Sequence, residues 1–159
     1  MNTMQFRSAT RQDVPLVLDF VRRLAAYEHL EDQVVATPEL LTEWIFEKKK
    51  AEVVFAEVDG QAVGFTLFFH NFSTFLGRAG IYLEDLFVLP EYRGKGYGKA
   101  LLRQLAVIAV ERGCGRLEWV CLDWNQPSID FYKSLGAEPQ EDWTIYRLTG
   151  KTLTALAES

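Results

Sequence analysis

A mixed α/β domain, with helices flanking a mostly antiparallel central sheet, is predicted by three features of this sequence. Two β-rich runs, residues 52–58 and 61–69, are joined by Asp59-Gly60 alone, the dipeptide whose positive backbone angles match the twist of an antiparallel hairpin. A strand-like run at 81–88 is followed by a glycine cluster, an amphipathic helix and another apolar run at 117–122, which makes one strand-helix-strand crossover. With 159 residues, 48% of them hydrophobic, and no repeat or linker, the chain is expected to form a single domain over residues 1–159.

In chain order, residues 4–7 read as a first strand. Thr10 and Asp13 then offer cap oxygens to a helix in which Val14, Leu16, Val17, Phe20, Val21, Leu24 and Ala25 recur at helical spacing up to Tyr27. Thr37 followed by Pro38 marks a second helix start, with Leu40, Leu41, Trp44 and Ile45 as its apolar stripe. After the hairpin, a polar loop with Asn71, Ser73 and Gly77 leads into the run at 81–88, which is apolar except for Glu84 and Asp85. Leu101, Leu102, Leu105, Ile108 and Ala109 define the crossover helix, which ends at Gly113. Pro127 and Ser128 open a helix that stops at Gly136, and residues 143–148 are expected to close the sheet as its final strand.

Composition removes several classes of function. The longest apolar run is six residues, far below the roughly 18 needed for a membrane span, so no membrane role is expected. The first eleven residues contain no apolar signal core, which leaves a cytoplasmic address as the expectation. A net charge of −5 argues against nucleic acid as a partner and suits cationic ones. Cys114 and Cys121 flank one short extended segment that would hold them apart, so reduced thiols are expected. His29 and His70 have no Cys or second His near them in the chain, and no metal site is expected.

The run Arg93-Gly94-Lys95-Gly96-Tyr97-Gly98-Lys99 lies between a strand and a helix, where converging amides and the helix dipole favour an anion. It lacks the glycine and hydroxyl of a P-loop, since Leu89 and Gly96 occupy those places. Its G-x-G-x-G spacing, six residues beyond Val88, also fits a dinucleotide fingerprint poorly. The longer stretch from Tyr82 through Glu84, Asp85, Leu86, Phe87 and Val88 to Gly98 resembles the acetyl-CoA-binding motif of the GCN5-related (GNAT) acyltransferases. Trp124-Asn125-Gln126-Pro127-Ser128-Ile129-Asp130-Phe131-Tyr132, with Gly136 after it, resembles the second half of that family's signature. Together with Tyr27-Glu28 and residues 31–34, these stretches resemble the diamine (spermidine/spermine) and thialysine N-acetyltransferases nearly end to end. The sequence departs from them at the tight Asp59-Gly60 turn and in a short segment after Gly136 that contains Glu141.

The resemblance implies a GNAT fold, with an acetyl-CoA cleft at the strand-helix junction and acetyl-CoA as co-substrate. It implies that Leu86, Phe87 and Val88 pair with the pantetheine arm, that residues 93–99 take the pyrophosphate, and that Asn125, Gln126, Pro127 and Ser128 contact the pantetheine. It implies that Glu84 deprotonates the attacking amine through water, and that Tyr27, Glu28, Glu84, Asp85, Trp119 and Glu141 line a pocket for a small cationic amine. Tyr132 becomes the candidate acid for the leaving thiolate, since a phenol with a pKa near 10 is protonated at neutral pH. Glu84 and Asp85 are neighbours in one strand, so their side chains diverge unless a bulge re-aims one of them. The leading acceptor is a di- or polyamine, and the alternative is the side-chain amine of a lysine-like amino acid. A non-catalytic acyl-CoA-binding module and a plain nucleotide-binding module are the readings from other classes. A homodimer is also implied, and Phe68, Phe69, Phe72 and Phe75 offer more apolar surface than one strand and loop are expected to hide.

Overall fold

A computed structural model describes residues 4–159, and the chain falls into two units, one ending at Val120 and one running Cys121–Ser159. The first unit contains a five-stranded sheet with its strands side by side in chain order. They are β1 (Met4–Ser8), β2 (Glu52–Val58), β3 (Gln61–Ser73), β4 (Arg78–Val88) and β5 (Leu117–Glu118). The first three junctions are antiparallel and the last is parallel, as a helical crossover requires.

The predicted caps are in place. The Thr10 backbone N–H and hydroxyl both donate to Asp13 Oδ2, at 2.7 and 3.1 Å, just ahead of α1 (Val14–Tyr27). Arg7 of β1 donates to both oxygens of the same carboxylate, at 2.7 and 2.9 Å, and so ties strand to helix. These bonds, that of Arg7 first, hold the Asp13 carboxyl down at about 2. The Thr37 hydroxyl accepts the Leu40 N–H at 3.2 Å and starts α2 (Pro38–Leu41), which continues as a wider π turn over Thr42–Glu47. In the β2–β3 turn Asp59 and Gly60 have φ of 52° and 79°, the left-handed pair expected of this hairpin.

Each face of the sheet is covered by a long helix, and on the α1 face Ile45 of the π turn joins the same core. Val17 and Phe20 of α1 pack on Phe55, Phe65 and Phe87, with the Phe20 and Phe65 rings stacked at 5.1 Å. On the other face Leu101 of α3 (Tyr97–Glu111) packs with Ala56, Val58, Val63 and Val88. Val63 and Phe65 are two residues apart yet reach opposite cores, because the register slips between Ala56 and Glu57 and leaves Val63 as an extra residue in β3.

Four expectations are corrected. The polar loop is shorter than predicted, since β3 runs through Ser73 and β4 begins at Arg78. Phe68 is core rather than surface, at 1% exposure, whereas Phe75 at the hairpin tip is fully exposed. Strand β5 stops at Glu118 and does not reach Leu122. In the second unit α4 (Gln126–Ser134) forms where Pro127 and Ser128 predicted a helix, the Asn125 side-chain oxygen accepts the Ser128 N–H at 3.4 Å, and the chain turns at the predicted Gly136 with φ of 90°. Residues 143–148, however, join no ladder among the described residues, and Trp143 and Tyr146 are 80% and 93% exposed. Apolar composition favours an extended chain there, but a strand also needs a neighbour to bond to. The short α5 (Gly150–Ala157) that follows was not anticipated. No helix among the described residues is long and apolar enough to cross a membrane.

At Gly64 of β3 both β4 and α3 come close to the strand. A Cβ there would stand 3.0 Å from Phe87 O and 3.2 Å from both Leu101 Cδ1 and Val88 Cγ2. Gly64→Val is therefore expected to lose about 2 kcal/mol of stability through overpacking, read from the urea midpoint. An unchanged midpoint would show that α3 can move away without cost.

Candidate active site

Strand β4 positions the acidic residues. Leu67 pairs with Asp85 and Phe68 with Leu83, so Glu84 is an extra residue that no β3 residue opposes. This bulge is the device needed to re-aim one of two adjacent carboxylates. It leaves Glu84 exposed and puts Asp85, half-buried, on the α1 face together with Phe87. Glu28 caps the C-terminal end of α1 and is also half-buried, next to the exposed Tyr27.

These three carboxylates act on one another. Burial first, then the charges of Glu84 and Glu28, push the Asp85 carboxyl up from 3.8 to about 7. Glu28 is also raised, by burial and then by Glu84. Every contribution to Asp85 is upward, and no cation pulls it back. A positive charge arriving here would therefore be bound strongly, and near neutrality it would expel a proton.

Beside this cluster β4 has an open edge. Only Ile81 and Tyr82 pair with β5, so residues 83–88 have no ladder partner on that side among the described residues. The Leu89 N–H donates inward to Val63 O at 2.8 Å, which turns the preceding carbonyl, that of Val88, outward along the open edge. There the Arg93 Nε donates to it at 2.9 Å. Past the strand, Gly94 and Gly96 have φ of 76° and 86°, and no atom lies within 4 Å of where their Cβ atoms would be. Gly96 is the N-cap of α3 and no side chain caps the helix, so its first-turn amides point into open space. Lys95 leans its ammonium over Tyr92 at 5.4 Å.

The remaining expected site residues follow α3 in the chain. Trp119 is half-buried just beyond β5. Asn125, Gln126, Pro127, Ser128 and Tyr132 belong to the second unit, where Asn125 is buried and the Tyr132 ring lies 5.6 Å from that of Phe131 on α4. Glu141 lies in an exposed turn of the same unit.

Residues 18–137 match the family described as Acetyltransferase (GNAT) family. The chain belongs to the GNAT acetyltransferases. It is 37% identical to thialysine N-epsilon-acetyltransferase from Bos taurus, with 99% of each chain covered. It is 31% identical to L-ornithine N5-acetyltransferase from Arabidopsis thaliana, over 96% of this chain and 87% of that one. Among solved structures, an integron cassette protein from the mobile metagenome of V. cholerae aligns at a TM-score of 0.82, with 29% identity and 98% of both chains covered. As a GNAT enzyme the chain transfers an acetyl group from acetyl-CoA to an amine. Its residues fit that co-substrate: the uncapped amides at the start of α3 suit a pyrophosphate, and the open edge of β4 suits the amides of a pantetheine arm.

The raised Asp85 makes a stability prediction. Folding lifts its pKa from 3.8 to about 7, so the folded chain keeps a proton that the unfolded chain has lost across that window. Stability therefore falls as pH rises from about 4 to about 7, and the loss is complete above it. Asp85→Asn removes this slope, and its Tm should exceed that of the parent by about 4 °C or more at pH 8 while matching it at pH 4. Parallel Tm profiles for the two proteins would mean that Asp85 ionises normally.

Proposed function

We propose that this enzyme acetylates the side-chain amine of a lysine-like amino acid, with di- and polyamines as a second class of acceptor. The observation that carries the reading is the group of Glu28, Glu84 and Asp85 beside the open edge of β4, three carboxylates close enough to act on one another. The full-length similarity to thialysine and ornithine acetyltransferases favours the amino acid. The number of carboxylates, and 30% identity to a human spermidine/spermine N(1)-acetyltransferase-like protein, favour the polyamine as the second reading. In that human protein the match covers 24% of the length.

Acetyl-CoA supplies the activated acetyl group when bound. Leu86, Phe87 and Val88 offer backbone to the pantetheine arm, and Asn125, Gln126, Pro127 and Ser128 complete its contacts. Backbone from Gly94 through Gly98, with the Lys95 and Lys99 side chains, takes the pyrophosphate. Tyr27, Glu28 and Trp119 line the amine pocket. An ammonium with a pKa near 10 cannot attack until it loses a proton. Glu28 and Asp85 hold the cation, and the exposed Glu84 takes that proton through water. The amine nitrogen then bonds to the acetyl carbon, the carbon–sulfur bond breaks as Tyr132 donates its phenolic proton to the sulfur, and the second proton shed by the acylated nitrogen restores the phenol. The same reading includes a cytoplasmic homodimer, supported by the exposed Phe72 and Phe75 at one hairpin tip and by the exposed Trp143 and Tyr146.

A thiol-release assay with acetyl-CoA across lysine, thialysine, ornithine, putrescine, spermidine and a basic peptide tests the reading. Highest kcat/KM for the lysine-like amino acids is expected. Faster turnover of spermidine would put the polyamine first, and no turnover with any amine would leave an acyl-CoA-binding module. Tyr132→Phe should lower kcat roughly ten- to a thousandfold with acetyl-CoA affinity unchanged. Gly96→Asp, which places a carboxylate at a left-handed position among the α3 amides, should abolish CoA binding in a calorimetric titration.

A further inference from the structure

The α1 face of the sheet carries a second polar group, one strand over from the acidic cluster. Phe65 and Leu67 of β3 pack into the core under α1, so by alternation Phe69 and Asn71 share that face. Their neighbours across the sheet share it too: Phe69 pairs with Tyr82, the rings 5.1 Å apart, and Tyr82 pairs with Glu118 of β5. Leu67 pairs with Asp85. Glu118 therefore stands two β3 residues along the sheet from Asp85 and one strand beyond it, about 8 Å away. It is also the last residue of β5 to pair with β4, at the point where the open edge begins.

The Glu118 carboxylate is held by one oxygen. Oε1 accepts the Asn71 side-chain N–H at 3.0 Å and lies 2.9 Å from Arg116 Nε. Oε2 accepts no hydrogen bond among the described residues. Arg116 is held in the same way, at its inner nitrogen. A Cβ at Gly80 would stand 3.2 Å from its Cγ, so its stem crosses β4 there, and its terminal nitrogens make no hydrogen bond among the described residues. Arg7, in contrast, uses all three nitrogens on Asp13 and Glu57. With side chains 40% and 35% exposed, Arg116 and Glu118 present a guanidinium fork and a carboxylate oxygen side by side to solvent. The head of an α-amino acid is the complementary pair, an ammonium and a carboxylate on one carbon.

We propose that Glu118 and Arg116 determine specificity by receiving the head group of the acceptor. Glu118 Oε2 takes its α-ammonium and the terminal nitrogens of Arg116 take its α-carboxylate, while the side-chain amine lies at Glu28 and Asp85. The spans agree: the two nitrogens of an extended lysine are about 7 Å apart, and Asp85 and Glu118 about 8 Å. The methylenes between them cross the Phe69 and Tyr82 rings. A diamine matches the two acidic poles but leaves the guanidinium unanswered. This inference rests on the amino-acid reading above.

The test uses three acceptors that divide the head group: lysine carries both charges, cadaverine lacks the carboxylate, and 6-aminohexanoate lacks the α-amine. Each is assayed with the full chain, Arg116→Gln and Glu118→Gln. The parent should favour lysine over both analogues. Arg116→Gln should lower kcat/KM roughly ten- to a hundredfold for lysine and 6-aminohexanoate, mainly through KM, and leave cadaverine within about twofold. Glu118→Gln keeps an oxygen for Asn71, and should lower lysine and cadaverine while leaving 6-aminohexanoate within about twofold. The KM for acetyl-CoA should stay unchanged in both variants. Calorimetric titration of Arg116→Gln should show the same split without turnover, with lysine binding weakened and cadaverine binding kept. Equal losses for all three acceptors, or a raised KM for acetyl-CoA, would show that the pair only fastens β5 to β4 and would overturn the assignment. Unaltered preference for lysine in both variants would overturn it too. A parent that acetylates cadaverine faster than lysine would overturn the amino-acid reading itself.

Discussion

Strand β4 has to be fixed along one edge and left bare along the other, and most of the first unit is arranged around that requirement. Its inner edge is bonded to β3 from Arg78 to Val88. Its outer edge is closed at one end by a small clip on β5. The Asn71 side-chain amide reaches across β4 and donates to Glu118 at 3.0 Å, and Glu118 also receives Arg116 at 2.9 Å. Gly80 lies in the path of that reach, where a Cβ would stand 2.6 Å from Asn71 Oδ1. Any larger residue at 80 would push the clip aside and with it the two-residue pairing of β4 and β5. The parallel pair is thus held firmly where it begins, and a few residues later the outer edge of β4 is free to bond a ligand rather than a strand.

The Glu84 bulge adds charge to that geometry. Without the extra residue, Leu83, Asp85 and Phe87 would share a face and the carboxylate would replace an apolar contact with no special neighbour. With it, Leu83 turns into the core and Asp85 joins Glu28 on the α1 side. Two half-buried acids beside a third destabilise the fold at neutral pH, and the same unfavourable field is what an ammonium relieves on binding. Stability and affinity for a cation are in this sense one electrostatic quantity read in two states of the protein.

Features of the sequence that act over a few residues were legible. The Asp59-Gly60 turn, the Thr10–Asp13 and Thr37 caps and the glycines before α3 each rest on local backbone geometry and appear where the residues put them. The Glu84 bulge was visible only as a condition attached to two adjacent acids, because register is set by pairing with β3 and not by β4 alone. The extent of β5 and the state of residues 143–148 depend on neighbours that no local pattern specifies. The orientation of the Arg93 side chain was hidden for a related reason. Its position in the glycine run pointed to phosphate, but the direction it takes is decided by Val88 and Phe87 at the end of β4 and by Tyr27 at the end of α1.

That orientation is intelligible once the anion site is considered as backbone. The amides of the first turn of α3, left uncapped by Gly96, already supply donors and the positive end of a helix dipole to a pyrophosphate. Lys95 in the loop and Lys99 in the first turn of α3 add side-chain charge. A third cation there would gain little, since exposed charges around a polyanion are screened within about 8 Å at physiological salt. On the α1 face Glu28, Glu84 and Asp85 are concentrated instead, and each raises the cost of charging its neighbours. Arg93 closes the end of β4, its Nε donating to Val88 O and its guanidinium lying over the rings of Phe87 and Tyr27.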